Sequence, residues 1–198
     1  MIVSKNRIPI DIHSIGHQNW VLAKGIKATF TVGHDSTNIY LSYTVVEPQV
    51  RAVNTAFNSP VWEDSCVEFF FSPFRDKAYY YNFEFNAIGA VLCGYGKNRH
   101  KREHLPDTVL NLVETVPSLG KKPIAGIWGE TQWDLQVKIP AEVLVFHKIE
   151  DFSGLAAKGN FYKCGDKLEH PHYLSWEPVG SAQPNFHLPE YFGQLSFQ

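Results

Sequence analysis

The stretch YYYNFEFN, residues 79–86, decides the fold because apolar and polar side chains alternate along it. Its odd-numbered positions are all aromatic, whereas Asn82, Glu84 and Asn86 place amides and a carboxylate at even-numbered positions. Successive side chains of a β-strand point to opposite faces of the sheet. The stretch therefore predicts a strand with one face in an apolar core and a second face that is polar.

The preceding stretch VWEDSCVEFFF, residues 61–71, predicts the partner of that strand. From position 67 onward its odd-numbered residues are apolar, so Glu68 is expected to point away from the core. The sequence SPFRDK, residues 72–77, has the composition of a turn and implies that the two strands pair. Glu68 would then lie near Glu84 on a shared polar face.

The same period of two recurs in short segments along the whole chain. The segment PAEVLVF, residues 140–146, is the best candidate for a short helix, with Pro140 in its first turn. Many short strands and hardly any helix predict an all-β fold, namely a two-sheet antiparallel β-sandwich, immunoglobulin-like or jelly-roll-like, with at most one or two short helices. No linker or repeat divides the sequence, so we expect a single domain over residues 1–198. The other predicted strands are residues 27–33, 38–46, 90–96, 109–116, 133–139, 159–165 and 191–197.

The composition is that of a globular protein with many aromatic residues: 44% hydrophobic, 19% charged and 14% aromatic, with a net charge of -2. The one dense basic run, KNRHKRE at residues 97–103, is interpreted as a solvated loop, and we expect no nucleic-acid partner. No apolar stretch is long enough to cross a membrane, and the N-terminus lacks the pattern of a signal peptide. These features predict no membrane association and a cytoplasmic location, or an extracytoplasmic one if the chain is a processed form.

Three cysteines, Cys66, Cys93 and Cys164, are too few and too widely spaced for a disulfide framework or a structural zinc site. We expect no metal site. Cys66 and Cys164 fall in predicted strands, where a cysteine is either a small buried hydrophobic residue or a reactive thiol.

Two tryptophans, Trp62 and Trp176, stand near strand ends beside the polar face, and Asn160 and Tyr162 share one face of a later strand. A pyranose ring needs a flat aromatic surface for its C–H face, together with fixed donors and acceptors for its hydroxyls. The sequence thus allows a sugar site. It equally allows tryptophans that pack in the core and polar residues that are only solvated.

The segments WEDSCVEFFF, YYNFEFNAIG, GNFYKCGD, HYLSWEP and PEYFGQLSF together resemble carbohydrate-binding module family 9, a DOMON-like β-sandwich. The resemblance covers the chain from about residue 40 onward. It implies that Trp62 and Trp176 sandwich the terminal sugar of a chain and that Glu68 binds the sugar hydroxyls.

Four further site residues follow from the same resemblance. Asn86 matches a polar family position, and Asn160 and Tyr162 lie on a strand that carries another polar contact, although the best-known members have an amide where Tyr162 stands. Glu84 occupies a position where members can carry arginine, which inverts the local charge. The resemblance leaves the identity of the sugar open.

The function expected from these residues is non-catalytic carbohydrate binding in the context of carbohydrate catabolism, as in modules associated with glycoside hydrolases. The alternative is a glycoside hydrolase that uses Glu68 and Glu84 as its carboxylate pair. We expect no cofactor, although structural calcium accompanies some family members. The oligomeric state is not predicted.

DOMON-like domains can also hold haem through methionine and histidine. The one methionine is Met1, which argues against such ligation. His170, His172 and His187 are interpreted as loop histidines, and His187 as a residue that orders the loop after Trp176.

Overall fold

The computed structural model describes residues 1–75 and 78–198, so the last two residues of the expected turn over residues 72–77 lie outside the described residues. Strands are the main regular secondary structure of the described chain, which also has one helix, α1 (Asp107–Leu110), and three 3-10 turns at Val61–Glu63, Ala141–Val143 and Pro189–Tyr191. The strands are β1 (Ile2–Val3), β2 (His13–Ser14), β3 (His17–Gln18), β4 (Lys27–His34), β5 (Asn38–Ala52), β6 (Cys66–Ser72), β7 (Tyr80–Asn86), β8 (Val91–Gly96), β9 (Glu103–His104), β10 (Glu114–Pro117), β11 (Ile124–Pro140), β12 (Ala156–Cys164), β13 (Tyr173–Ser175) and β14 (Gly193–Phe197).

Two sheets form the predicted sandwich. The larger sheet has the order β1-β14-β12-β6-β7-β8-β9, with β13 paired to β12 and β3 paired to β13. The smaller sheet has the order β10-β11-β5-β4-β2. The pairing of β1 with β14 is parallel, whereas the other described pairs of strands are antiparallel. The predicted all-β sandwich is confirmed, with this one parallel edge as an addition.

Strands β6 and β7 pair as the alternation predicts. Phe69 lies opposite Phe83 on the core face, and Glu68 lies opposite Glu84 on the outer face. In the core, Phe161 of β12 stacks between two rings, with centroid distances of 3.7 Å to Phe30 and 4.6 Å to Phe69. Aromatic side chains at alternate positions of facing strands therefore join the two sheets.

One local prediction is wrong, and a second is right only in part. The strand expected over residues 109–116 is divided into α1 and β10, because Leu110 and Val113 bury themselves at helical spacing after Pro106 starts the turn. The helix expected over residues 140–146 is only the turn Ala141–Val143, since Leu144 leaves the helical region at ψ 56.

The outer face of the larger sheet is covered, which the sequence did not indicate. Residues 176–192, called the covering segment below, cross it and place Phe186 and Phe192 on a second apolar cluster. That cluster includes Phe70, Tyr80 and Tyr162, which occupy outward positions of the sheet strands. The outward positions are thus too apolar to face water, and β6 and β7 are buried along their whole length.

A charged cluster lies fully buried on the face of β12 that points away from the covering segment. The Lys163 ammonium is 2.9 Å from Glu47 Oε2 and 2.8 Å from His172 Nε2. The Trp133 indole donates to the second Glu47 oxygen at 2.6 Å. His172 Nδ1 faces the His170 carbonyl at 3.0 Å, so its Nε2 accepts from the ammonium. Burial and the charge of Lys163 lower the pKa of His172 to about 2, which keeps the imidazole neutral.

All three cysteines are free and buried, as expected of small apolar residues. None of the helices in the described part of the chain is long and apolar enough to cross a membrane.

Candidate functional site

A cavity of about 520 Å³ opens on the outer face of the larger sheet, between β6, β7 and β8 on one side and the covering segment on the other. Its floor carries Glu68 and Glu84, which lie side by side at opposite positions of the adjacent strands β6 and β7. Its lining combines aromatic, acidic, basic and amide side chains: Trp62, Glu68, Asn82, Glu84, Leu92, Arg99, Arg102, His104, Cys164, Asp166, Tyr173, Pro184, Asn185, Phe186 and His187.

Trp62 is positioned by a buried carboxylate next to its own turn. Asp64 Oδ2 accepts hydrogen bonds from the Val53 amide at 3.1 Å and from Asn86 Nδ2 at 2.9 Å, and Asp64 Oδ1 pairs with Arg51. These contacts tie the turn Val61–Glu63 to the end of β5 and to β7. The Trp62 indole is 38% exposed at the cavity and is therefore available for contact with a ligand.

Glu68 lies on the cavity floor with 2% of its surface exposed. The Cys164 thiol donates to its Oε1 at 3.0 Å. Burial raises the pKa of Glu68 well above its usual value, and the neighbouring Cys164 and Glu84 raise it further.

Glu84 belongs to a chain of polar contacts across the floor. Asn82 Nδ2 donates to Glu84 Oε1 at 2.7 Å, while Asn82 Oδ1 accepts from Arg102 Nε at 2.8 Å. Arg102 also donates to the carbonyls of Tyr80 and Gly94 and lies 4.4 Å from the centre of the Tyr80 ring. Glu84 Oε2 is buried and has no hydrogen-bond partner among the described residues. Burial raises the pKa of Glu84 to about 7, against the opposing effects of Asn82 and Arg102.

This shift in the pKa of Glu84 predicts how the stability depends on pH. The folded protein holds the Glu84 proton more tightly than the unfolded chain, whose pKa is the usual 4.5, so the stabilisation is complete below pH 4.5 and is lost as the pH rises to about 7. The loss from this group is at most about 3 kcal/mol. Glu84→Gln is expected to reduce the difference in unfolding free energy between pH 4.5 and pH 8, measured by urea denaturation.

The control for this measurement is Glu142→Gln, because Glu142 is exposed. Glu68 and Asp166 also have raised pKa values, so part of the pH dependence should remain in Glu84→Gln. An unchanged pH dependence in that variant would contradict the assignment to Glu84.

The structure places four of the sequence-predicted site residues outside the cavity lining. Trp176 packs on the core side, with its ring centre 5.9 Å from that of Phe161 and 6.1 Å from that of Phe30. It therefore does not face Trp62 across the cavity. The side-chain amide of Asn86 donates a hydrogen bond to Asp64, and its oxygen accepts hydrogen bonds from two backbone amides of the following turn.

Asn160 and Tyr162 hold the covering segment in place. Asn160 exchanges hydrogen bonds with the backbone of Glu177, donating at 3.1 Å and accepting at 2.9 Å. The Tyr162 hydroxyl donates to the Phe186 carbonyl at 3.2 Å, and the two rings stack at 4.0 Å. The structure thus brings together Trp62, Glu68 and Glu84 in the cavity, while Asn160 and Tyr162 hold the covering segment that forms one of its walls.

Several lining residues were missed by the sequence reasoning. The basic run over residues 97–103 is exposed along much of its length, but Arg102 turns inward onto the cavity floor. Burial raises the pKa of Asp166 to about 6, and Arg99 opposes the shift. His187 was not missed: interpreted from the sequence as ordering the loop after Trp176, it bonds the Tyr80 hydroxyl at 2.9 Å through Nδ1 and lines the cavity. For Arg99 and Arg102, the only signal in the sequence was the high density of charge in the basic run.

One set of described residues could hold a metal ion. Donor atoms of Cys66, Glu68 and Cys164 lie within 4.8 Å of one another. Burial raises the pKa of the Cys66 thiol to about 12, so it carries its proton at neutral pH, and thiolates rather than thiols bind metals.

Comparison with known proteins places this chain in a family. The sequence profile of carbohydrate-binding family 9 matches residues 2–197. No curated protein is similar enough in sequence to this chain to count as a match. The crystal structure of a Bacteroides uniformis protein, to which carbohydrate binding has been attributed, is 40% identical with a TM-score of 0.90, covering 96% of this chain and 87% of that one.

Two structures of a family 9 module from Caldicellulosiruptor kristjanssonii share the fold at 13% identity. The complex with glucose has a TM-score of 0.63 and covers 100% of this chain and 95% of that one. The complex with cellotriose has a TM-score of 0.61 and covers 100% and 93%. From its match over nearly the whole sequence, the chain belongs to carbohydrate-binding family 9.

Proposed function

We propose that this protein binds a carbohydrate without catalysis, in the cavity between the larger sheet and the covering segment. The observation that carries the proposal is the pairing of Trp62, exposed at the opening, with two carboxyls on a buried floor. The indole offers a flat apolar face to a sugar ring, and the carboxyls accept hydrogen bonds from its hydroxyls. The cavity of about 520 Å³ is of the size that small-molecule sites have.

The expectation that Trp62 and Trp176 sandwich the sugar is revised in this proposal. Tyr173 and Phe186 line the cavity together with Trp62, whereas Trp176 does not. The second aromatic wall is therefore assigned to Tyr173 and Phe186. Family membership supports a carbohydrate as the ligand, and glucose and cellotriose are bound by the distant C. kristjanssonii module.

Trp62→Ala is expected to weaken sugar binding by about fivefold or more, because loss of a stacking surface removes roughly 1–3 kcal/mol of binding energy. Isothermal titration calorimetry against glucose, cellobiose, cellotriose and a panel of other mono- and disaccharides checks this. Trp128→Ala is the matched control, since Trp128 is 65% exposed and lies away from this cavity. The proposal would be contradicted if the two variants bound sugar with equal affinity. It would also be contradicted if the parent protein and both variants showed no saturable binding.

A glycoside hydrolase remains the alternative, and the paired carboxyls Glu68 and Glu84 are the observation that favours it. Such an enzyme separates the two pKa values, so that one carboxyl is protonated while the other is ionised. Here burial raises both pKa values, so neither carboxyl is held at the low pKa that keeps the second carboxylate of such an enzyme ionised. Glu84→Gln separates the two functions: a hydrolase loses turnover of an aryl glycoside, whereas a binding protein shows only altered affinity.

A further inference from the structure

The carboxyls of Glu68 and Glu84 form a floor in which neither carboxyl is in direct contact with a cation of the described residues. They lie opposite each other in the register of β6 and β7, and only 2% and 4% of their surfaces are exposed. Neither takes part in an ion pair with any residue in the described part of the chain. A buried carboxylate without a cation is strongly disfavoured, because the interior solvates charge poorly.

The nearby guanidinium groups do not complete this floor. Arg102 is held by Asn82 Oδ1, at 2.8 Å from its Nε, and by two backbone carbonyls, so the neutral amide of Asn82 stands between it and Glu84. Arg99 lies on an exposed loop, where its charge acts on Asp166. The floor is therefore left with a weak thiol donor to Glu68 and one amide donor to Glu84.

The environment of Glu84 Oε2 indicates which kind of ligand group the floor can bind. This oxygen is buried and receives no hydrogen bond from the described residues, and Glu84 is one of the residues that line the cavity. A sugar hydroxyl would supply a hydrogen bond but no charge. A primary ammonium supplies three donors and a positive charge, and hydrogen bonds between charged groups are about twice as strong as neutral ones.

The walls suit a cation as well. Trp62 and Tyr173 line the cavity, and the faces of aromatic rings attract cations. We propose that the carbohydrate recognised here carries a protonated amine, as amino sugars do, and that Glu68 and Glu84 together bind its ammonium group. This inference rests on the proposed function, because it assigns the ligand class of the same cavity.

The test compares sugars that differ at one substituent. Glucose, its 2-amino, 3-amino and 6-amino derivatives and their N-acetylated forms are titrated by calorimetry at neutral pH, with EDTA present to remove divalent cations. At least one amino sugar is expected to bind about tenfold or more tightly than glucose, and acetylation should abolish the advantage. Glu84→Gln and Glu68→Gln should each reduce it, whereas Glu142→Gln should not, and rising salt concentration should weaken the amino sugar more than glucose.

The outcomes separate this inference from the proposed function. If glucose binds as tightly as every amino sugar, the ammonium site is refuted while carbohydrate binding stands. If an amino sugar keeps its advantage in both glutamine variants, with circular dichroism spectra that show them folded, the assignment to Glu68 and Glu84 is refuted. If no sugar in the series or in the wider panel binds, the proposed function fails, and this inference fails with it.

Discussion

Replacing Lys163 with methionine is expected to destabilise the protein by about 3–5 kcal/mol, because it leaves a buried carboxylate without its cation. Lys163 and Glu47 are both 0% exposed, and their charged atoms are 2.9 Å apart. His172 Nε2 lies 3.8 Å from Glu47 Oε2 but replaces the ammonium poorly, since burial lowers the pKa of His172 and so disfavours its charged form. Urea denaturation at pH 7 measures the change in unfolding free energy.

The double variant Lys163→Met with Glu47→Gln should recover much of this loss, since replacing a whole buried ion pair is often neutral. Glutamine also keeps an acceptor for the Trp133 indole, which donates to Glu47 in the parent protein. Lys138→Met is the matched control: it breaks an exposed ion pair with Glu114 and should change stability by no more than about 1 kcal/mol. Similar effects of the Lys163 and Lys138 variants would overturn the interpretation.

Asp64→Ala is expected to lower the unfolding free energy by a comparable amount, about 3–5 kcal/mol, because it leaves several buried donors without an acceptor. The donors are the backbone amides of Val53 and Asn54, the side-chain amides of Asn54 and Asn86, and the Arg51 guanidinium. Since the same contacts hold the turn that carries Trp62, sugar affinity should fall in this variant too.

Asp64→Asn provides the graded comparison for Asp64→Ala. It preserves the shape and one acceptor oxygen, so its loss of stability should be smaller. Glu150→Ala, which removes an exposed ion pair with Lys148, should have almost no effect on stability. A stability of Asp64→Ala within about 1 kcal/mol of the parent would be inconsistent with the role given to Asp64.

The alternation of side chains was enough to predict the sandwich, since burial on one face of a strand leaves a period of two in the sequence. It correctly paired β6 with β7 and placed Glu68 near Glu84, and the structure adds the register in which the two lie opposite each other. Where the period is short or mixed, as over residues 109–116, one helical turn and one short strand look like a single strand.

The walls of the cavity were beyond such reasoning because they depend on contacts between distant segments. Phe186 reaches the outer face through an irregular segment with no period of its own. Trp176 stands next to the cavity strands in sequence, yet its indole packs against Phe30 and Phe161 in the core. Position beside a strand end does not determine the side of the sheet to which an aromatic residue turns.

The covering segment has a consequence for how new specificities could arise in this fold. It contributes Pro184, Asn185, Phe186 and His187 to the cavity. Its attachment points, such as the hydrogen bonds from Asn160 and Tyr162, are made to its backbone carbonyls. Anchors of this kind are indifferent to side-chain identity, whereas Asn185 Oδ1 accepts from the His187 amide at 3.0 Å and His187 Nδ1 bonds the Tyr80 hydroxyl at 2.9 Å. Position 184 can therefore be randomised in a combinatorial library while the sandwich beneath stays intact, and positions 185 and 187 can be varied among side chains that keep these hydrogen bonds. Ligand preference can thus be changed from this loop, which makes it a practical place to engineer a sensor or affinity reagent.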